Sequence, residues 1–143
     1  MTTEENEAII KRFVEVAFNQ GNVSICDDAL AENFRYHGPM GEERRGPEAF
    51  KQHIQNLRDA FPDMKMTLID IVSEGDMVFH RWSFSGTNLG SMMGNPPTKQ
   101  LVTFPVWVLS HVAYGKEMEA WEMYDTLSMA EKTGSMTAEP QHA

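Results

Sequence analysis

A single cysteine, Cys26, is all the thiol this chain carries. An intrachain disulfide is therefore excluded and a reducing compartment is expected. Positive charge is also scarce: 12 Lys and Arg against 21 Asp and Glu leave a formal net charge of −9. That balance repels phosphates, so neither nucleic acid nor an anionic membrane surface is an expected partner. No apolar run approaches the ~18 residues that a membrane-spanning helix needs. The stretch from Met1 to Glu5 is acidic at its end and lacks the apolar core of a signal peptide, so a cytoplasmic location is expected. The catalytic motifs that announce themselves by spacing are missing too. There is no HExxH, no cysteine pair and no facial-triad pattern, so no metal is expected. There is no glycine-rich phosphate loop and no GxSxG elbow, so a nucleotide-dependent or serine-nucleophile enzyme is disfavoured.

What is present reads as one soluble globular domain. The 143 residues are 41% hydrophobic and 23% charged, enough to bury about two-thirds of the unfolded surface. The domain is expected over residues 1–134, with 135–143 a polar, frayed tail. Thr2-x-x-Glu5 reads as a capping box opening a first helix, whose apolar stripe is Ile9, Phe13, Val16 and Ala17 and whose stop is Gly21. A second short helix is predicted from Ser24, with Ile25, Ala29 and Leu30 inward, ending before Phe34. An extended piece, Phe34 to Pro39, closes in a turn, and Met40 to Arg45 reads as a loop or small hairpin. Gly46-Pro47-Glu48 starts a third helix, which keeps Phe50, Ile54 and Leu57 at helical spacing until Pro62 ends it.

From Asp63 the period drops to two. Strands are predicted from Met64 to about Val72, Met77 to Thr87, Leu101 to Ala113 and Lys116 to about Leu127. Turns at Glu74-Gly75-Asp76 and Tyr114-Gly115 and a long loop from Asn88 to Gln100 separate them. Helices first and a strand meander afterwards make an α+β domain, with helices covering one face of a curved antiparallel sheet and a cavity left between them.

On a flat last strand, Glu117, Glu119, Trp121, Met123 and Asp125 share one face, while Met118, Ala120, Glu122 and Tyr124 share the other. If the Trp121 face is concave, Asp125 is a titratable group in apolar surroundings, and burial raises its pKa toward the range useful for acid–base work. If the face is open, Asp125 is a solvated rim residue. His37, between an aromatic pair and a Gly-Pro turn, can bind a substrate oxygen or hold its loop. His80 alternates with Val78, Trp82 and Phe84 and is either a satisfied core histidine or a pocket group. His111 shares its face with Trp107. His53 and His142 are expected to be solvated, and Arg81 to pair with a carboxylate.

Taken together, Phe34-x-Tyr36-His37-x-Pro39, Gly46-Pro47-Glu48-x-Phe50, Phe61-Pro62-Asp63, Arg81-Trp82-x-Phe84-x-Gly86-Thr87, Pro96-Pro97-Thr98 and Gly115-Lys116-x-x-Glu119-x-Trp121-x-x-x-Asp125 resemble the SnoaL-like polyketide cyclases. The resemblance runs from about Glu5 to Gly134. It departs at Asn88, where the family often has His, at Lys99-Gln100, where it often has Gly-Lys, and at Pro105 within a strand. It implies a cone-shaped α+β fold of the nuclear-transport-factor type with a deep pocket. It also implies intramolecular aldol ring closure of a polyketide without metal or cofactor, and an acid–base Asp matching Asp125. On this reading His37 assists, and Trp121, Trp82, Trp107, Phe61, His80, His111 and Tyr124 are candidates to line the pocket around a polycyclic or otherwise apolar substrate. Strand parity leaves open which of them face it. Alternatives are an isomerase or epoxide-hydrolase-type enzyme in the same pocket, and a non-catalytic binding domain. Apolar tryptophans on an uncovered sheet face lead to the expectation of a homodimer or dimer-based oligomer.

Overall fold

The protein is described from a computed structural model over residues 1–92 and 94–134. Helix α1 spans Thr3–Phe13 and is opened by the expected capping box, with Glu5 N–H donating to Thr2 Oγ1 at 3.1 Å and Thr2 N–H to Glu5 Oε1 at 3.2 Å. It continues as a π-helical turn, Val14–Asn19. A 3₁₀ turn, Val23–Ile25, leads into α2, Cys26–Ala29. Strands β1 (Leu30–His37) and β2 (Glu43–Arg45) form a hairpin, and α3 (Gly46–Ala60) begins with Pro47 in its first turn. The long strands β3 (Lys65–Glu74), β4 (Met77–Thr87), β5 (Leu101–Ala113) and β6 (Lys116–Tyr124) follow, then α4 (Thr126–Lys132).

The six strands form one sheet in the order β2-β1-β6-β5-β4-β3. Its edges, β2 and β3, do not meet, so the sheet curls around the helices without closing. The α+β class and the helices-on-curved-sheet plan hold. Three expectations need correction. The sheet is mixed, because β1 runs parallel to β6, pairing Tyr36 with Ala120 and His37 with Trp121. The second helix stops at Ala29 and Leu30 already belongs to β1, since the β6 ladder takes up its backbone. The last strand ends at Tyr124 rather than near Leu127, because Asp125 caps a new helix. The tail expected to fray, residues 135–143, lies outside the described residues.

Tyr114 (φ 56°) and Gly115 (φ 75°) both take left-handed backbone, the geometry of the tight turn whose twist matches its flanking strands. Besides the register shift between Leu30 and Arg35 in the β1–β6 ladder, two irregularities between the long strands reset side-chain direction. One falls between Leu68 and Asp70 on β3, so Ile71 follows Leu68 inward and Asp70 and Val72 face out. The other falls at Met118 on β6, where His111 pairs with Glu119 but Val112 with Glu117.

Two aromatic clusters fill the space between helices and sheet. Phe13, Phe18, Phe34, Tyr36 and Phe50 form one, with ring centroids 5.2–6.1 Å apart. Phe61, Phe84, Phe104 and Tyr124 form the other, at 4.7–5.4 Å. Edge-on and offset contacts of this kind add to the burial of the rings themselves. Between the clusters the packing is incomplete, and that gap holds the site.

Candidate active site

The inner face of the sheet carries Tyr36 on β1, Arg44 on β2, His80 and Trp82 on β4, Val106, Val108 and Ser110 on β5, and Glu117, Ala120, Glu122 and Tyr124 on β6. Helix α3 supplies His53 and Leu57, and the π-turn supplies Phe18. Three compartments lie along this face. The outer one, about 470 Å³, is walled by Arg44, Glu42, His53, Asn56, Tyr124 and Met129, among others. A middle one, about 80 Å³, shares His53, Leu57, Met92, Tyr124 and Met129 with it and reaches Glu122. The innermost, about 40 Å³, shares Phe18, Met66 and Glu122 with the middle one and ends at Glu117, His80 and Trp82. Shared walls make the three a funnel that narrows from Arg44 toward Glu117.

Glu122 is the polar group at the junction of the inner two compartments. The Tyr36 hydroxyl donates a short hydrogen bond to its Oε2. Loss of water around the carboxyl raises its pKa to about 7; the Tyr36 bond pulls the other way and the charge of Glu42 adds to the rise. Burial, reinforced by the Glu122 charge and its hydrogen bond, keeps the Tyr36 phenol far above its ordinary value. Tyr124, beside it, is also raised, first by burial and then by Glu122.

The floor is a directed chain of hydrogen bonds. Trp82 Nε1–H donates to His80 Nδ1 at 2.7 Å, and His80 Nε2 lies 2.7 Å from Ser110 Oγ. An indole N–H can only donate, so Nδ1 accepts and the ring proton of neutral His80 sits on Nε2. Burial depresses His80 to about 3, which keeps it neutral. Glu117, 5% exposed, is raised to about 8 by burial, with the Ser110 hydroxyl offsetting part of the effect. His53 at the funnel's neck is lowered to about 4, mainly by burial and then by the Arg44 charge. Near neutral pH the wall therefore holds one carboxyl poised between its two forms, one mostly protonated acid and two neutral imidazoles.

Sequence comparison decides the family. A family model described as SnoaL-like polyketide cyclase matches residues 8–132. The chain belongs to the SnoaL-like polyketide cyclases. Solved structures agree on the fold. A protein assigned to the SnoaL-like polyketide cyclases from Jannaschia sp. CCS1 superposes with a TM-score of 0.85 at 22% identity, covering 96% of this chain and 94% of that one. IdmH, a candidate polyketide cyclase from Streptomyces antibioticus, gives 0.77 at 28% identity over 89% and 96%. AclR, a candidate hydroxylase from Streptomyces galilaeus, gives 0.84 at 21% over 98% and 87%. No curated protein sequence matches the chain.

Within this cyclase fold the residues singled out by sequence divide sharply. His80, Trp82 and Tyr124 do line the funnel. Phe61 is fully buried against Phe84 in the second aromatic cluster and touches no compartment. Asp125, His37, Trp121, Trp107 and His111 lie on the outer face of the sheet. Asp125 is exposed, its Oδ1 accepts the Ser128 N–H at 2.9 Å, and it caps α4. His37 stacks on Trp121 at 5.4 Å, with Nε2 2.5 Å from Glu119 Oε2 and Arg35 on the same carboxylate. The structure thus places Asp125, which the resemblance matched to the family's acid–base Asp, outside the funnel, whereas Glu117 and Glu122 are the carboxyls on its inner walls.

His53, expected to be solvated, is on the cavity wall. Glu117, Glu122, Tyr36 and Arg44 were not singled out at all. A usable signal was present in β5, where Val102, Phe104, Val106 and Val108 alternate with Thr103, Pro105 and Trp107. Four aliphatic or aromatic residues in a row mark the covered face, and antiparallel pairing then turns Glu122 and Tyr124 the same way. Among the described residues, no group of three or more His, Cys, Asp or Glu side chains is placed to hold a metal ion.

Proposed function

We propose that the protein closes a ring in a polyketide or related apolar carbonyl compound by intramolecular aldol condensation, with Glu122 as the acid–base group. The observation that carries this reading is the Glu122 carboxyl on the cavity wall, bonded by Tyr36 and balanced near pH 7. A base that is about half ionised at the working pH suits reversible removal of a carbon-bound proton. Ionised Glu122 takes the proton from the carbon next to one carbonyl, leaving an enolate. The enolate carbon attacks a second carbonyl of the same molecule, forming a carbon–carbon bond and an alkoxide. Protonated Glu122 then returns the proton to that alkoxide, so protons and electrons balance without a co-reactant. Tyr36 orients the carboxyl and offers its hydroxyl to the developing oxyanion as Glu122 takes the proton. Leu57, Met92, Met129, Phe104 and Val106 supply apolar walls for ring systems.

The test is a pair of variants on a confirmed substrate. Glu122→Gln keeps the shape and removes the base, so turnover is expected to fall about 10²–10⁴-fold. Asp125→Asn is expected to stay within a few-fold of the parent. Turnover of the parent should also rise as pH passes through about 7, where Glu122 ionises. Glu122→Gln at full activity overturns the mechanism. A product that is a shifted double bond rather than a new ring moves the same base to the isomerase reading. We also propose that the outer sheet face, with Trp107 48% and Trp121 40% exposed, is covered by a second copy of the chain.

A further inference from the structure

Arg44 stands apart among the cationic side chains. It pairs with Tyr36 across the β1–β2 hairpin and so shares Tyr36's inward direction. It lines the funnel mouth with His53, Asn56 and Tyr124. Its Nε is buried and has no hydrogen-bond partner. Among the described residues it also makes no ion pair within 4.0 Å, although Glu42 is on the same wall. Glu42 is engaged elsewhere, accepting the Met40 N–H at 2.9 Å. His53, held neutral, adds no competing positive charge and leaves its ring nitrogens free to donate or accept. Burying an arginine donor without a partner is costly, so a site that keeps one has a use for it.

We propose that Arg44 makes the funnel mouth a carboxylate receptor, so that the substrate is an aromatic or polycyclic carbonyl compound bearing a free carboxylate. This rests on the ring-closure reading and names its substrate class. Nε and one Nη of a guanidinium form a planar fork that matches the two oxygens of a carboxylate. Asn56 and His53 are the neighbours able to bond the outer oxygen lone pairs. Tyr124 lies two residues along β6 from Glu122, about 7 Å, and lines both the mouth and the compartment that Glu122 faces. A substrate anchored at Arg44 can therefore extend past Tyr124 into the compartment that Glu122 faces. The fork selects the free acid over its ester, and the reaction that supplies this substrate must be one that releases a carboxylate rather than an ester.

Binding of 2-naphthoate and of methyl 2-naphthoate, measured by calorimetry on the unaltered protein, on Arg44→Met and on Arg44→Lys, tests this. The unaltered protein is expected to favour the acid by about tenfold or more. Arg44→Met should lose that preference while binding the ester within about threefold of the parent. Arg44→Lys, which keeps the charge but not the fork, should recover only part of it. An ester bound as tightly as the acid, a preference unchanged in Arg44→Met, full recovery in Arg44→Lys, or no binding of either probe to the unaltered protein overturns the proposal. The same preference measured in Glu122→Gln keeps the two ideas separable. An acid preference that persists there stands whether or not Glu122 proves to be the base.

Discussion

The two faces of β6 carry the same kinds of residue and have opposite characters. Inward, Glu117 and Glu122 meet a serine, a tyrosine and little water, and both hold their protons far above the ordinary carboxylate range. Outward, Glu119 sits between Arg35 and His37, and Asp125 caps a helix in the open. A carboxylate with a cationic neighbour is stable but committed; one whose only partner is a hydroxyl in an apolar wall is free to exchange a proton. The surroundings of each carboxyl are decided by which way its side chain points, and the Met118 bulge sets part of that by turning Glu117 to the same side as Glu122.

The contrast can be stressed most strongly through two tryptophans. Trp82 is buried inside and donates to His80, whereas Trp107 is half exposed outside. Trp82→Ala should cost about 3–5 kcal/mol of folding stability in urea denaturation. Trp107→Ala, measured under monomeric conditions, should cost less than about 1 kcal/mol. Equal costs would mean that the faces do not differ as described.

The buried acids should also leave their mark on pH dependence. Glu117 and Glu122 titrate at about 8 and about 7 in the fold, against 4.5 for an ordinary glutamate. The stability they contribute is complete below about 4.5 and is lost as pH rises through 7 to 8. His53 and His80, lowered to about 4 and about 3 from 6.5, act in the opposite sense, and their contribution is lost as pH falls below 6.5. Stability should therefore peak in mildly acidic solution and decline on the alkaline side. Glu117→Gln should flatten that alkaline decline in urea midpoints taken between about pH 6 and 9. An unchanged slope would remove Glu117 from the account.

On the outer face, Trp107→Ser combined with Trp121→Ser should weaken self-association by about 2 kcal/mol or more, read as a shift to monomer in sedimentation. Unaltered protein that is wholly monomeric at micromolar concentration would exclude the dimer. A small effect is also expected at Asp125. Asp125→Ala removes the α4 cap and should cost about 1 kcal/mol in thermal unfolding, with turnover within a few-fold. A far larger loss of turnover would return Asp125 to the chemistry.

Much of the fold could be read from sequence because its signals are local. Thr2 and Glu5, Pro47, and the Tyr114-Gly115 turn each fix an element boundary through backbone hydrogen bonds or allowed φ values. The parallel β1–β6 pairing had no such marker, since it joins segments distant in the chain. The site depended on parity, and parity on strand β6 is a matter of which neighbour covers it. Choosing the face by the size of Trp121 and its distance to Asp125 selected the outer surface. His53 was misjudged for a similar reason: its neighbours Lys51 and Gln52 are polar, but the helix turns it onto Phe50 and Tyr36 at 5.4 and 5.2 Å.

The bond between Tyr36 and Glu122 spans 86 residues, and this has a bearing on how the protein is made. β1 emerges from the ribosome long before β6 exists, with only the three-residue β2 to pair with. At about 5–20 residues per second the interval is roughly 4–17 s. Through that time the edge of β1 that β6 will cover shows bare N–H and C=O groups, a template for pairing with another chain. The Tyr36–Glu122 bond cannot form until β6 has been made, and a translational pause placed between Tyr36 and Glu122 would prolong the exposure of that edge.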